Sequence, residues 1–174
     1  MSAIPANAMI RTSNTTPMMS TSFMLSTRAE VVVVLVCDVR NYTRMSEVLP
    51  SREMSELMSR WFREASAIID ANMGTVDKFI GDAVLAYWVA ETKADPAREA
   101  FAALKAAGAL VASSRDFSSR LSSQFPGHVF DIGVGLNLGP AMLCNVGNSE
   151  HQSFTAVGDT VNVAFRLEPF SKTK

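Results

Sequence analysis

Hydrophobic and polar positions divide the chain into a run of short elements. Val31 to Val36 is a β-branched stretch without alternation, which predicts a strand covered on both faces. It ends at Asp38, and the chain turns polar through Arg40, Asn41 and Thr43. Met54, Leu57, Met58, Trp61, Phe62, Ala65 and Ile69 recur at three- and four-residue steps. They predict an amphipathic helix from a Ser51 cap to about Ala71, with Glu53 in its first turn and Asn72 and Gly74 closing it. Thr75–Ile80 and Ala83–Val89 read as a β-hairpin turning at Gly81-Asp82. A second helix is expected from Asp95 or Pro96, with Ala97, Phe101, Leu104, Gly108 and Val111 on its buried stripe. The Ser-rich piece from Ser113 to Pro126 extends or follows it. Phe130–Leu138 and Ala141–Val146 read as a strand pair around Gly139-Pro140, and a last helix starts near Asp159 with Val161, Ala164, Phe165 and Leu167. The order β-α-β-β-α-β-β-α predicts an α+β fold, helices packed on a mostly antiparallel sheet. Residues 1–28 are rich in Ser, Thr, Met, Asn and Pro and show no period, so a flexible N-terminal tail is expected, with the domain at 29–174.

Composition narrows the partners. With 174 residues and 48% hydrophobic positions, the chain is long enough for one self-sufficient core. Sixteen Lys and Arg against seventeen Asp and Glu give a net charge of −1, which disfavours nucleic acid as the main partner. Cys37 and Cys144 are too few for a disulfide framework or a cysteine zinc site, and are expected as reduced thiols. No apolar run approaches the ~20 residues that span a bilayer, and no secretory signal stands out. A cytoplasmic protein is the expectation.

Chemistry gathers around two aspartates. Asp38 ends a buried strand and Asp82 sits in a hairpin turn, where either alone reads as an ordinary cap or turn former. If the first strand lies beside the hairpin, both carboxylates converge at one sheet edge. Two such ligands, completed by substrate phosphates and water, are how Mg²⁺ is usually held. Backbone N–H groups after Asp38 then suit phosphate oxygens. No Gly-x-x-x-x-Gly-Lys-Ser/Thr loop occurs, and Arg40 occupies the position that an Asp-x-Asp phosphatase motif requires to be acidic.

Three blocks then stand in order: Cys37-Asp38-Val39-Arg40-Asn41-Tyr42-Thr43, Thr75 through Ala86 with Lys78 and Gly81-Asp82, and Val157 through Glu168 with Asn162 and Arg166. From about residue 30 to the end, the chain resembles the class III nucleotidyl cyclase catalytic domain. The resemblance implies a ferredoxin-like βαββαβ core and a head-to-tail homodimer with active sites shared between both chains. It implies Asp38 and Asp82 as ligands of two Mg²⁺ or Mn²⁺ ions, and Val39, Arg40, Asn41, Tyr42 and Thr43 as the phosphate loop. Arg166 matches the family's transition-state arginine and Asn162 the ribose-orienting asparagine; their four-residue step puts both on one helix face. Lys78 falls where adenylate cyclases carry lysine and guanylate cyclases carry glutamate, and Thr155 occupies the partner position. That pair favours ATP over GTP, since lysine donates to adenine N1 but meets the N1–H of guanine badly.

Taken residue by residue, Lys78 also reads as a solvated surface lysine, Arg166 as a partner for Glu168 or a helix neighbour, and Asn162 as an exposed helix residue. His128 and His151 lack ligand spacing. Asn41 and Tyr42 replace the family's usual glycine and phenylalanine, and Asn tolerates the left-handed conformation a glycine supplies. The family's domain usually continues past the last helix into strands with a triphosphate-binding lysine, and Lys172 and Lys174 come too early for that role. The expectation is a domain lacking its C-terminal strands, with a sensor or regulatory domain attached in a longer protein. The expected activity is ATP to cyclic AMP and pyrophosphate. The alternative is a non-catalytic cyclase homology module that binds nucleotide or dimerises; a guanylate cyclase is disfavoured by Lys78.

Overall fold

The computed structural model describes residues 27–147 and 152–171. The expected tail lies outside these except for its last two residues, as do His151, Lys172 and Lys174. The elements are β1 (Arg28–Val39), α1 (Tyr42–Val48), α2 (Ser51–Ala71), β2 (Thr75–Ile80), β3 (Ala83–Val89), α3 (Ala97–Gln124), β4 (Ile132–Gly147), β5 (Gln152–Val157) and α4 (Asp159–Leu167), followed by a 3₁₀ turn at Glu168–Ser171. Five antiparallel strands form one sheet in the order β2-β3-β1-β4-β5. This is the α+β architecture expected from the sequence.

Alternation along β1 explains the two layers. Val33, Leu35, Cys37 and Val39 face a core with Trp61 and Ile69 of α2, Leu110 and Phe117 of α3, and Val84, Ala86 and Trp88 of β3. Val32, Val34 and Val36 face the other way, against Leu85, Tyr87, Leu143, Ala156, Val161 and Ala164. A strand buried on both faces cannot alternate apolar with polar, which is why Val31–Val36 reads as a solid run.

Several local readings change. Gly139-Pro140 is not a turn: β4 runs unbroken for 16 residues, and Val31 pairs with Pro140. β5 joins β4 only from Met142, so Pro140 sits where β4 has a neighbour on one side, a place that tolerates a missing N–H. The true partner of the second half of β4 is β5. The stripe of α3 is also rotated from the expected one. Phe101 and Leu104 are 64% and 60% exposed, while Ala102, Ala103, Ala106, Leu110, Phe117 and Leu121 are buried. Small side chains let α3 approach the sheet closely, and residue size decided the face. At α2, Pro50 occupies the cap position with no side-chain hydrogen bond, so Ser51 is the first helical residue and not the cap. At its other end Met73 takes the left-handed conformation, while Gly74 is needed for space: a Cβ there lies 2.5 Å from the Trp88 ring. Leu167 of α4 is exposed.

The face opposite α2 and α3 is where the sheet curls. Gly133, Gly135 and Gly139 alternate along one face of β4, and a Cβ at Gly135 falls 2.3 Å from the Ala164 carbonyl oxygen. Without side chains at these positions, α4 lies directly on the strand. Asn137, on the same face, donates to the Thr160 carbonyl at 2.9 Å. β5 turns over the sheet far enough that Thr155 touches Asp77 of β2, so the two edge strands meet.

Candidate functional site

The first group of candidate residues sits where β1 ends. Cys37 pairs with Val84, which places Asp38 beside the turn carrying Asp82. The two carboxylates come within side-chain hydrogen-bonding range of one another. Burial first, then the charge of Asp82 and that of Glu168, push Asp38 up from 3.8 to about 6; Arg40 works in the opposite direction. Cys37, directly before it, is buried and its thiol is pushed well up by burial and by the Asp38 charge, so it is inert.

Arg40 follows in the chain but does not point into open space. Its guanidinium pairs with Glu168 at 3.1 Å and donates to the Glu168 carbonyl and to Ser171 Oγ at 2.7 Å. Both partners are largely buried, at 14% and 8% side-chain exposure. A Cβ on Gly133 would overlap this pair, 1.7 Å from Glu168 Oε1. Arg40 was expected in a phosphate loop, and here its charge is committed to tying the end of β1 to the turn after α4. Asn41 has φ 56°, the left-handed conformation its residue type allows. Tyr42 and Thr43 begin α1, whose first turn follows directly, and Val39 is buried against the helical core.

The second group lies on β2, β5 and α4. Val76 pairs with Ala86 but Lys78 pairs with Leu85, so Asp77 is the extra residue of a β-bulge. The bulge turns Asp77 and Lys78 to the same face, the one β5 crosses. The Asp77 side chain is fully buried; Thr155 donates its hydroxyl to Asp77 Oδ2 at 2.5 Å, and Lys78 Nζ stands 3.8 Å from Oδ1. Burial and the Asp77 charge also raise the Tyr87 phenol above its ordinary value. Lys78 and Thr155, far apart in sequence, are therefore held by one carboxylate. Sequence reasoning missed Asp77; the available signal was an acidic residue next to Lys78 in a strand otherwise apolar. Asn162 and Arg166 are exposed on α4, and Arg166 pairs with Asp159 at 3.2 Å rather than with Glu168.

Asp38 and Asp82 suit a divalent cation of the Mg²⁺ kind. Two convergent carboxylates, one with its proton affinity raised by the other, gain by a shared positive charge, and phosphate oxygens and water can complete the shell. They do not make a complete site: among the described residues no group of three or more His, Cys, Asp or Glu could hold a metal. A groove of about 680 Å³ between α2 and α3 includes none of the candidate residues. No helix among the described residues is long and apolar enough to cross a membrane.

Known proteins resemble this arrangement. The family described as adenylate and guanylate cyclase catalytic domain matches residues 24–174. Adenylate cyclase 1 of Rhizobium meliloti (strain 1021) is 35% identical over 145 residues, covering 81% of this chain and 21% of that protein. The chain thus spans about a fifth of that relative's length. Among solved structures, the adenylyl cyclase CyaB from P. aeruginosa superposes with a TM-score of 0.80 at 28% identity, over 86% of this chain and 76% of that one. The guanylate cyclase domain of RhGC from Catenaria anguillulae in complex with GTP gives 0.72 at 27% identity, over 83% and 76%. With the strand order, the paired aspartates and the match along nearly the whole described domain, the chain belongs to the adenylate and guanylate cyclase catalytic domain family.

Proposed function

We propose that the chain is an adenylate cyclase catalytic domain, converting ATP to 3′,5′-cyclic AMP and pyrophosphate at sites shared by two head-to-tail copies. The observation that carries the reading is the convergence of Asp38 and Asp82 at the end of β1. In this reading Asp38 and Asp82 would hold two Mg²⁺ or Mn²⁺ ions, which would lower the pKa of the ribose 3′-OH and offset the charge of the triphosphate. The 3′ oxygen attacks the α-phosphorus in line, its proton passes to water, the new O–P bond closes the ring, and the bond to the pyrophosphate breaks.

The remaining residues supply positioning and charge. Lys78 and Thr155 read the base, Asn162 orients the ribose, and Arg166 places positive charge beside the α-phosphate as the transition state forms. Exposure of Asn162 and Arg166 on one face of α4 supports this, because both must reach a substrate held partly by the other copy. Of the phosphate loop, Asn41, Tyr42 and Thr43 offer backbone N–H groups and Val39 fixes the strand end. Arg40 acts as a brace rather than a phosphate ligand. The setting is a cytoplasmic pool of ATP, with any regulatory domain lying elsewhere in a longer protein.

The test is cyclic nucleotide production from ATP and from GTP, with Mn²⁺ or Mg²⁺, over a range of protein concentrations. Cyclic AMP formation with specific activity rising with concentration is expected, and Asp38→Ala or Asp82→Ala abolishes it. Full activity in either variant, or cyclic GMP as the main product, would sink the reading.

A further inference from the structure

Asp77 has a geometry that bears on base choice, and it rests on Lys78 and Thr155 being the base readers. Its side chain is fully buried, it belongs to neither the proposed metal pair nor α4, and its Oδ1 has no hydrogen-bond donor of its own beyond the ammonium 3.8 Å away. Its Oδ2 accepts the hydroxyl of Thr155. The alternative acceptor for that hydroxyl, the Ala156 carbonyl, is farther at 3.4 Å.

A threonine hydroxyl has one hydrogen to donate and two lone pairs. A carboxylate can only accept, so in the Thr155–Asp77 bond the proton belongs to Thr155 and is spent. What Thr155 can still offer a ligand is its lone pairs. The bulge that makes Asp77 the extra residue also turns Lys78 to the same face, where it presents only donors. The site therefore shows one donor and one acceptor side by side. Adenine presents the complement, an acceptor at N1 beside a donor at N6; guanine presents a donor at N1 beside an acceptor at O6.

We propose that Asp77 is the positioning residue that sets base choice: by taking the Thr155 proton and pairing with Lys78, it fixes an acceptor beside a donor, a pattern that fits the edge of adenine and rejects that of guanine. Thr155 alone is indifferent, since a free hydroxyl can donate to O6 as readily as accept from N6. Asp77 removes that freedom without touching the nucleotide.

The experiment measures kcat/KM for ATP and GTP with Mn²⁺ in the whole chain, its Asp77→Asn variant, and Asp77→Asn combined with Thr155→Asp. The Asn side chain keeps the shape but can donate to Thr155, which frees the hydroxyl proton. The ATP-to-GTP ratio is expected to fall at least tenfold in Asp77→Asn and to return to within threefold of the original in the double variant, where position 155 carries an acceptor-only group directly. Asp77→Ala serves the same comparison if the Asn variant does not fold. An unchanged ratio overturns the proposal, as does an equal loss for both nucleotides, which is what a merely structural role produces. The same ratio is read from dissociation constants for ATP and GTP in the presence of Mn²⁺. If the chain makes no cyclic nucleotide but binds ATP in preference to GTP, and Asp77→Asn erases the preference, the cyclase reading fails while the role of Asp77 stands. Binding without base preference in the unmodified chain overturns that role.

Discussion

Metal-free protein should be strained at Asp38, and Asp38→Asn should relieve the strain. The carboxyl has been pushed from 3.8 to about 6, chiefly by burial and then by Asp82. A carboxyl with a raised folded pKa binds its proton more tightly folded than unfolded. Its contribution to stability is fully present below the unfolded value and is lost as pH rises through about 6. About 2 units at 1.36 kcal/mol each sets a ceiling of about 3 kcal/mol, and the half-exposed position lets water screen this to about 1 kcal/mol. In EDTA at pH 7.5, Asp38→Asn is therefore expected to be more stable than the unmodified chain by about 1 kcal/mol, or 2–4 °C in Tm for a domain of about this size. The gap closes as pH falls through 6 towards 4. Thermal unfolding of both proteins across this range is the assay. Adding Mn²⁺ with ATP should reverse the order, because ligand binding stabilises only the chain that keeps both carboxylates. An Asn variant no more stable than its parent at pH 7.5, or a difference that ignores pH, would refute the reasoning.

Other perturbations test the scaffold and the site separately. Glu168→Gln leaves the Arg40 guanidinium buried without its counter-charge and should cost about 3 kcal/mol, read as a lower urea midpoint with an unchanged slope. Gly74→Ala drives a methyl into the Trp88 ring, 2.5 Å away, and into Ile69; a loss of about 1–3 kcal/mol is expected by the same measurement. Arg166→Ala should lower cyclic AMP turnover by about 10²–10³-fold while leaving Tm within about 1 °C, because its pairing with Asp159 is exposed and contributes little.

Elements whose character is local were legible before the structure. The solid Val31–Val36 run, the Trp61 stripe of α2 and the Gly81-Asp82 turn each follow from residues close in sequence, and they stand where expected. The convergence of Asp38 and Asp82 was also legible, because it needs only that β1 lie beside the hairpin. What escaped depends on partners distant in sequence. Gly139-Pro140 has turn chemistry, but pairing with β1 carries the strand straight through it. Phe101 and Leu104 have helical spacing, yet an alanine face packs closer and wins the core. Arg40 reads as one residue of a phosphate loop, and nothing near it in sequence announces that Glu168, 128 positions later, takes its guanidinium. Asp77 was the least legible, since strict alternation along β2 separates it from Lys78 and only the bulge unites them.

The same long-range features explain how residues from the two edge strands can meet at all. β2 and β5 stand at opposite ends of the strand order, so in a flat sheet Lys78 and Thr155 would be about four strand spacings apart, or roughly 19 Å. They meet because the sheet curls, and it curls where the glycines along one face of β4 let α4 and the following turn sit on the strand itself. The buried Arg40–Glu168 pair then fastens that turn to the end of β1, two residues from Asp38. A side chain added at Gly133 would disturb the end of β1 beside Asp38 and the seat of α4 together, through the Arg40–Glu168 ion pair. The packing that lets β5 cross the second face is thus also what brings Thr155 to Asp77.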